Sequence, residues 1–253
     1  VIVTFLGTGT SQGVPVIACE CVVCQSLDYR DKRLRTSIHI DIEGKSFVID
    51  TGPDFRQQML LDKIKKLDAV LYTHEHKDHT AGMDDIRSFN FKQKRDMPIY
   101  ARHQVLEQLK QEYAYVFNEN NYPGVPKVSV NELTNHPFEV EGIEITPIDT
   151  LHYKLPVFGF RVNDFVYITD TNYISEPEME KMKNADVLVL NALHQSEHIS
   201  HYNLQQALDV IKLVNPKKAF LVHMSHQMGL HKDIAAILPE DVYMAYDGLK
   251  VSL

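Results

Sequence analysis

Residues 73–79 read Thr73-His74-Glu75-His76-Lys77-Asp78-His79, so four potential metal ligands fall inside one short stretch. It follows Ala69-Val70-Leu71-Tyr72, an apolar run that reads as a buried strand. On extended chain His74 and His76, two apart, point the same way and are placed to bind one cation together. Asp78 and His79 come as the chain turns into a helix, which lets them face a second cation beside the first. A lone histidine would be an ordinary surface or core residue. A cluster this dense at a strand end calls for another explanation.

Working outward, residues 1–6 are β-branched and aromatic and run into Gly7-Thr8-Gly9, a strand entering a tight turn. Residues 36–42 and 45–49 flank Glu43-Gly44 and predict a hairpin. Residues 54–65, 83–91 and 102–115 predict helices, with a short strand at 98–101 between the last two. Residues 118–126 (NENNYPGVP) read as a surface loop or insertion. Strands are predicted at 138–140, 143–147, 157–162, 165–169 and 186–190, then at 219–222, 242–245 and 249–252. Residues 203–214 predict an amphipathic helix, with Asn203 and Gln206 spaced for a capping box. Strands in groups with helices between them imply sheet packed on sheet, flanked by helices, rather than regular βαβ alternation. One domain over residues 1–253 is expected.

The chain has 253 residues, 44 % hydrophobic and 24 % charged, which argues for a folded protein rather than a disordered one. Its 26 Lys and Arg against 34 Asp and Glu give −8, which weighs against a nucleic-acid-coating protein. No apolar run approaches the ~20 residues of a membrane span, and no secretory apolar core opens the chain. A soluble, cytoplasmic protein is therefore expected. Val1 stands where a Met would, so a residue or two of the native start is expected before it. Histidine is the unusual count, at thirteen.

The pattern His-x-His-x-Asp-His resembles the metallo-β-lactamase superfamily of metallohydrolases. The resemblance implies an α/β (α+β) fold, a four-layer αββα sandwich of two mixed sheets flanked by helices. It also implies the remaining site residues. Asp50, in Ile49-Asp50-Thr51-Gly52, would support the ligand loop from behind. His152 would join His74 and His76 on the first metal, and His223 would join Asp78 and His79 on the second. Asp170, after Tyr167-Ile168-Thr169, would bridge the two. Two divalent cations, zinc or manganese, would share a water and lower its pKa towards neutrality, so that the bridging hydroxide is the nucleophile. Asp78 then counts as catalytic as well as a ligand. Relatives that cleave β-lactams carry a cysteine where Asp170 stands, so the carboxylate resembles the phosphodiesterase and thioesterase branches instead.

Cys19, Cys21 and Cys24 lie in one six-residue window, too tight and too odd in number for a disulfide framework. They supply three soft ligands, one short of a tetrahedral zinc site. His226, three beyond His223, is the candidate fourth, and three buried thiols are the alternative reading. Leu6-Gly7-Thr8-Gly9-Thr10-Ser11, these cysteines and the paired late histidines together resemble the PhnP-type phosphodiesterases. That likeness implies a structural zinc on Cys19, Cys21, Cys24 and His226, a homodimer, and a small anionic phosphodiester, cyclic or nucleotide-like, as substrate. A pyrroloquinoline quinone biosynthesis protein of the superfamily has a similar cysteine loop, so the loop alone does not fix function.

Cleaving a phosphodiester needs a proton for the leaving oxygen. His201 matches the proton donor of PhnP-type enzymes and tRNase Z, while the residues alone do not choose among His194, His198 and His201. Asn191 stands where tRNase Z has an acidic residue; as a partner it would leave His201 less basic and the activity optimum at lower pH. His39, His103 and His136 read as structural and His231 as a surface residue beyond the site. Three rival readings remain: a tRNase Z-like nuclease, a glyoxalase II-like thioester hydrolase, and a non-catalytic accessory protein of the same fold. The 118–126 insertion carries one acidic and no basic residue, which argues against RNA.

Overall fold

The computed structural model describes residues 1–118 and 122–253. Strands form where β-branched and aromatic residues run together. In chain order they are β1 (Ile2–Gly7), β2 (Ser37–Ile42), β3 (Lys45–Ile49), β4 (Ala69–Leu71) and β5 (Met97–Arg102). β6 (Val128–Leu133), β7 (Phe138–Val140), β8 (Ile143–His152), β9 (Leu155–Val162) and β10 (Phe165–Tyr167) follow. β11 (Tyr173–Ile174), β12 (Val187–Asn191), β13 (Lys218–Val222), β14 (Val242–Met244) and β15 (Lys250–Ser252) complete the set. One sheet runs β15-β1-β2-β3-β4-β5-β6 and the other β11-β8-β9-β10-β12-β13-β14, with β7 on β8. Both are mixed: β3-β4-β5-β6 and β10-β12-β13-β14 pair in parallel, the rest antiparallel.

Alternate residues of each strand face opposite ways, and here both faces are covered. Phe47, Ile49 and Leu71 point between the sheets to meet Phe158, Phe160, Tyr167, Val189 and Val222. Val48 and Val70 point outward onto Phe55, Met59, Leu106 and Leu109. On the far side Val166, Leu188 and Leu221 meet Leu204, Ala207 and Ile211. Strands buried on both faces read as unbroken apolar runs, which is why the chain shows so little clean alternation. The result is the four-layer sandwich. No described helix is long and apolar enough to cross a membrane.

The helix over Leu204–Val214 has its capping box, with Asn203 Oδ1 accepting from Gln206 N at 2.8 Å and Gln206 Oε1 from Asn203 N at 3.0 Å. Other bounds moved. The helix expected to reach residue 65 ends at Leu61, because Lys63 takes a left-handed turn with φ 55°. The 102–115 helix breaks at Tyr113, whose hydroxyl donates to Thr80 O at 3.0 Å. β8 runs five residues beyond the expected stop at Pro147. Pro147 lies between the part of β8 paired with β7 and the part paired with β11, where a missing N–H leaves no ladder bond unmade. Of the 118–126 loop, 119–121 lie outside the described residues, and Val125 N closes a turn onto Tyr122 O at 3.2 Å.

His39 is structural. It is buried on β2, and Ser46 Oγ lies 2.7 Å from its Nε2 while donating to Lys66 O, so Nε2 carries the hydrogen. Burial holds the ring down to about 4, with Asp41 pulling weakly the other way. A histidine held below its ordinary 6.5 stabilises the fold above that pH, and the stabilisation is lost as pH falls towards 4. His39→Gln keeps a donor for Ser46 and does not titrate. Urea unfolding from pH 7 to 4 is expected to fall less steeply in the variant, by roughly 3 kcal/mol over that range. Parallel curves for the two proteins would show that His39 is not held neutral.

Candidate metal centre

The site forms along one edge of the two sheets, where β3, β4, β10 and β13 end and deliver Asp50, His74, Asp170 and His223. Asp50 (φ 66°), Asp170 (φ 49°) and His223 (φ 56°) all hold left-handed backbone, uncommon for residues with a Cβ and typical of positions fixed by their surroundings. Asp50 is fully enclosed and accepts from Thr73 N and Thr73 Oγ1, both at 2.8 Å, and from His79 Nδ1 at 2.7 Å. It therefore anchors the loop and turns His79 so that Nε2 faces Asp78 and Asp170. Two backbone bonds clamp the same loop: Thr51 N donates to His79 O and Gly82 N to Thr51 O, each at 2.8 Å. A Cβ on Gly52 would lie 2.2 Å from Asp78 O, so the approach admits only glycine.

Around Asp170 the expected residues converge. Its Oδ1 lies 2.9 Å from His223 Nε2, and its Oδ2 lies 3.5 Å from His79 Nε2 and 3.6 Å from His74 Nε2. Asp78 Oδ2 sits 3.2 Å from His79 Nε2 and 3.6 Å from His223 Nε2. Asp78, His79, Asp170 and His223 form one group with ligand atoms within 4.8 Å of one another, and His74, His76 and Asp170 form a second. His152 rings against His76 at 5.1 Å and falls within a third group, with Asp170 and His201. The Nε2 atoms of His74, His79 and His223 are buried without a hydrogen-bond partner. Buried orphan nitrogens facing carboxylates are what divalent cations would satisfy, so the residues fit the metal pair.

Burial pushes His74 well below its ordinary value, and burial with His152 nearby lowers His76; a neutral ring is the form that binds a cation. At His79 and His223 burial also works downward, but the carboxylates of Asp78 and Asp170 outweigh it, raising His223 to about 9. Asp170 is held well below the carboxylate range because His223 and His79 overcome its burial. The pocket is thus poised for positive charge.

His201, not His194 or His198, reaches the centre. Its ring stacks on His223 at 4.9 Å and lies 4.5 Å from His152. It is buried, and burial pushes it down to about 3 against the pull of Asp170. Asn191 is not its partner. The Asn191 amide brackets Thr171, accepting from Thr171 N at 2.9 Å and donating to Thr171 O at 3.0 Å. The low basicity of His201 comes from burial. His231, expected at the surface, is buried, with Arg33 Nη2 3.4 Å from its Nδ1 and its backbone N–H donating to Asp31 Oδ1 at 2.7 Å.

Away from the Asp170 cluster, His226 Nδ1 lies 3.2 Å from Cys19 Sγ, 3.4 Å from Cys21 Sγ and 3.5 Å from Cys24 Sγ. Three sulfurs and a nitrogen on one point fit a tetrahedral zinc. The backbone N–H of Cys24, then His226, lowers Cys21 to about 6, whereas burial raises Cys24 to about 11. Met224, between the two late histidines, donates its N–H to Thr8 O at 3.0 Å and accepts from Thr10 N at 3.1 Å. Ser200 was not singled out from the sequence, yet its carbonyl accepts from His152 Nδ1 at 2.8 Å. A carbonyl contact leaves no mark on residue type. Thr73 and Gly52 were legible in principle, as a hydroxyl and a glycine flanking charged site residues.

Residues 45–224 match the family model described as a beta-lactamase superfamily domain. A solved structure titled as a new diphosphatase from the PhnP family superposes with a TM-score of 0.93 at 34 % identity, over 100 % of this chain and 97 % of that one. Zinc-bound PqqB from Methylobacterium extorquens shares the fold, with a TM-score of 0.80 at 17 % identity and full coverage of both chains. An octanoyltransferase of Porphyromonas gingivalis is 40 % identical over 97 % of this chain, which spans only 50 % of that relative's length. Family model, fold and site geometry agree: the chain belongs to the metallo-β-lactamase superfamily of metallohydrolases and stands close to its PhnP-type members.

Proposed function

We propose that the protein is a dinuclear metal-dependent phosphodiesterase acting on a small anionic phosphodiester, with His201 as general acid. The observation that carries this reading is the place of His201: a buried histidine against His152 and His223, grouped with His152 and Asp170 but outside the seven residues that the family resemblance assigns to the cations. Thioester cleavage has no need of such a group, because a thiolate leaves without a proton. His74, His76 and His152 would hold one cation, Asp78, His79 and His223 the other, with Asp170 between. Divalent cations there supply an activated water and neutralise charge on the phosphoryl group.

The chain's own residues do the rest. Asp50 fixes the direction of His79, and the Ser200 carbonyl fixes that of His152 by holding Nδ1–H, which turns Nε2 to the site. His201 passes a proton from the ring nitrogen facing Asp170 and His152 to the leaving oxygen, and the phosphate's own negative charge favours that proton's uptake. Cys19, Cys21, Cys24 and His226 would hold a structural zinc. A homodimer is part of the proposal and is checked by light scattering in solution. The octanoyltransferase named above is about twice as long, and its activity enters here only as a thioester control.

The test is hydrolysis of bis(p-nitrophenyl) phosphate with zinc or manganese, run beside a glutathione thioester and an octanoyl thioester. Diester cleavage is expected, and His201→Ala is expected to slow diesters with poor leaving groups by about 10²–10⁴-fold, with p-nitrophenolate far less affected. Thioester turnover without diester cleavage would overturn the proposal.

A further inference from the structure

The imidazoles do not stop at His201. His198 lies 5.2 Å further out from it, and His194 stands edge-on to His198 at 5.6 Å. In this ladder His223, His201 and His194 are buried, and His198 is the rung that meets solvent. Ser200 sets the whole arrangement. Its carbonyl holds His152, while its N–H and hydroxyl both lie 3.3 Å from His198 Nδ1. An Nδ1 that accepts from a backbone amide leaves the hydrogen of a neutral ring on Nε2. The loop is braced from below, because Asn172 Nδ2 donates to Ile199 O at 3.1 Å while Asn172 Oδ1 accepts from Tyr153 N at 2.7 Å. His198 is therefore an exposed but fixed donor, one ring beyond the proton donor.

We propose that His198 is a substrate-positioning residue that donates its Nε2–H to an oxygen of the leaving group. The inference rests on the phosphodiesterase reading. Two rings 5.2 Å apart, each reaching about 3 Å, grip oxygens on neighbouring atoms. His201 takes the scissile oxygen and His198 an acceptor next to it. The substrate class follows: a diester whose leaving group carries a phosphate oxygen or a vicinal sugar oxygen beside the bond that breaks. An aryl leaving group offers nothing at that position. No bond is made or broken at His198, and the proton still comes from His201.

The experiment compares wild type, His198→Ala and His198→Gln on three substrates: bis(p-nitrophenyl) phosphate, diadenosine diphosphate and adenosine 2′,3′-cyclic phosphate. The alanine variant is expected to lose roughly 10–100-fold in kcat/KM on a substrate with the acceptor, and less than about threefold on the aryl diester. Glutamine, which restores a donor, is expected to recover most of the loss. The thermal midpoint should stay unchanged, since the side chain is exposed. Loss on the diphosphate alone identifies a phosphate oxygen as the acceptor; loss on the cyclic phosphate alone identifies the sugar oxygen. An equal loss on all three substrates would mean that His198 merely props His201 and would overturn the inference, as would no loss at all. Wild-type cleavage of the aryl diester alone overturns it too, while leaving the phosphodiesterase reading intact. Failure to cleave any of the three removes that reading itself.

Discussion

Asp170→Asn is expected to lower diester hydrolysis on the order of 10³-fold and to strip cations from the Asp170 cluster while leaving the cysteine site loaded. The substitution is isosteric, so the backbone turn at φ 49° and the bond from Thr169 Oγ1 at 2.8 Å have no steric reason to change. The charge is what goes. Among the described residues Asp170 is the one carboxylate facing the Nε2 atoms of His74, His79 and His223 together; without it Asp78 still faces His79 and His223, and Asp50 touches only the far side of the His79 ring. Charge stabilisation by bound cations contributes several kcal/mol, and each 1.4 kcal/mol is tenfold in rate. Metal analysis of gel-filtered protein beside steady-state kinetics checks both halves. Full metal retention with full activity would show that Asp170 is not a bridging ligand.

Gly52→Ala is the second large effect, and it reaches the chemistry without touching a ligand. The new methyl would sit 2.2 Å from Asp78 O, a backbone atom that cannot swing aside. The loop holding Asp78 and His79 must move as a unit, because Thr51 N–H and Gly82 N–H tie it to the same turn. Overpacking of this kind costs about 1–3 kcal/mol, and displacement of a reacting constellation by about 1 Å costs roughly 10² in rate. Gly44→Ala is the control: its φ is +73°, but nothing lies within 4 Å. It is expected to lose some stability and keep its kcat. Equal kcat for the two variants would show that the loop absorbs the methyl elsewhere.

The sequence was most legible where chemistry demands particular residue types. His74, His76, Asp78 and His79 lie within six positions and mark the site by themselves, whereas Asp50, His152, Asp170 and His223 were legible only through the resemblance to the metallo-β-lactamase pattern. The buried strands were equally plain, since Val48 and Val70 face one layer while Phe47 and Leu71 face another. What stayed hidden depends on backbone rather than side chain. β6 (VSVNEL), at the end of its sheet, is half polar and buries only Leu133, so its pattern is weak. β11 is two residues long. Asn191 misled because its place in the chain suggested a partner that its hydrogen bonds do not support. Ser200 holds His152 through its carbonyl, a backbone group that every residue owns.

The convergence of Cys19, Cys21 and Cys24 on His226 has a consequence for the unfolded chain. Cys19 and His226 are separated by 207 positions in sequence. A cation gripping both would tie a point near the first strand to a point near the last, and a tie of that span removes about 5 kcal/mol of loop-closure entropy from the denatured ensemble. It would act as a long-range crosslink that needs no oxidant to form and that a chelator can reverse. Met224 and Ser225, the two residues between His223 and His226, would then hold the wall of the reaction site at the knot of that crosslink.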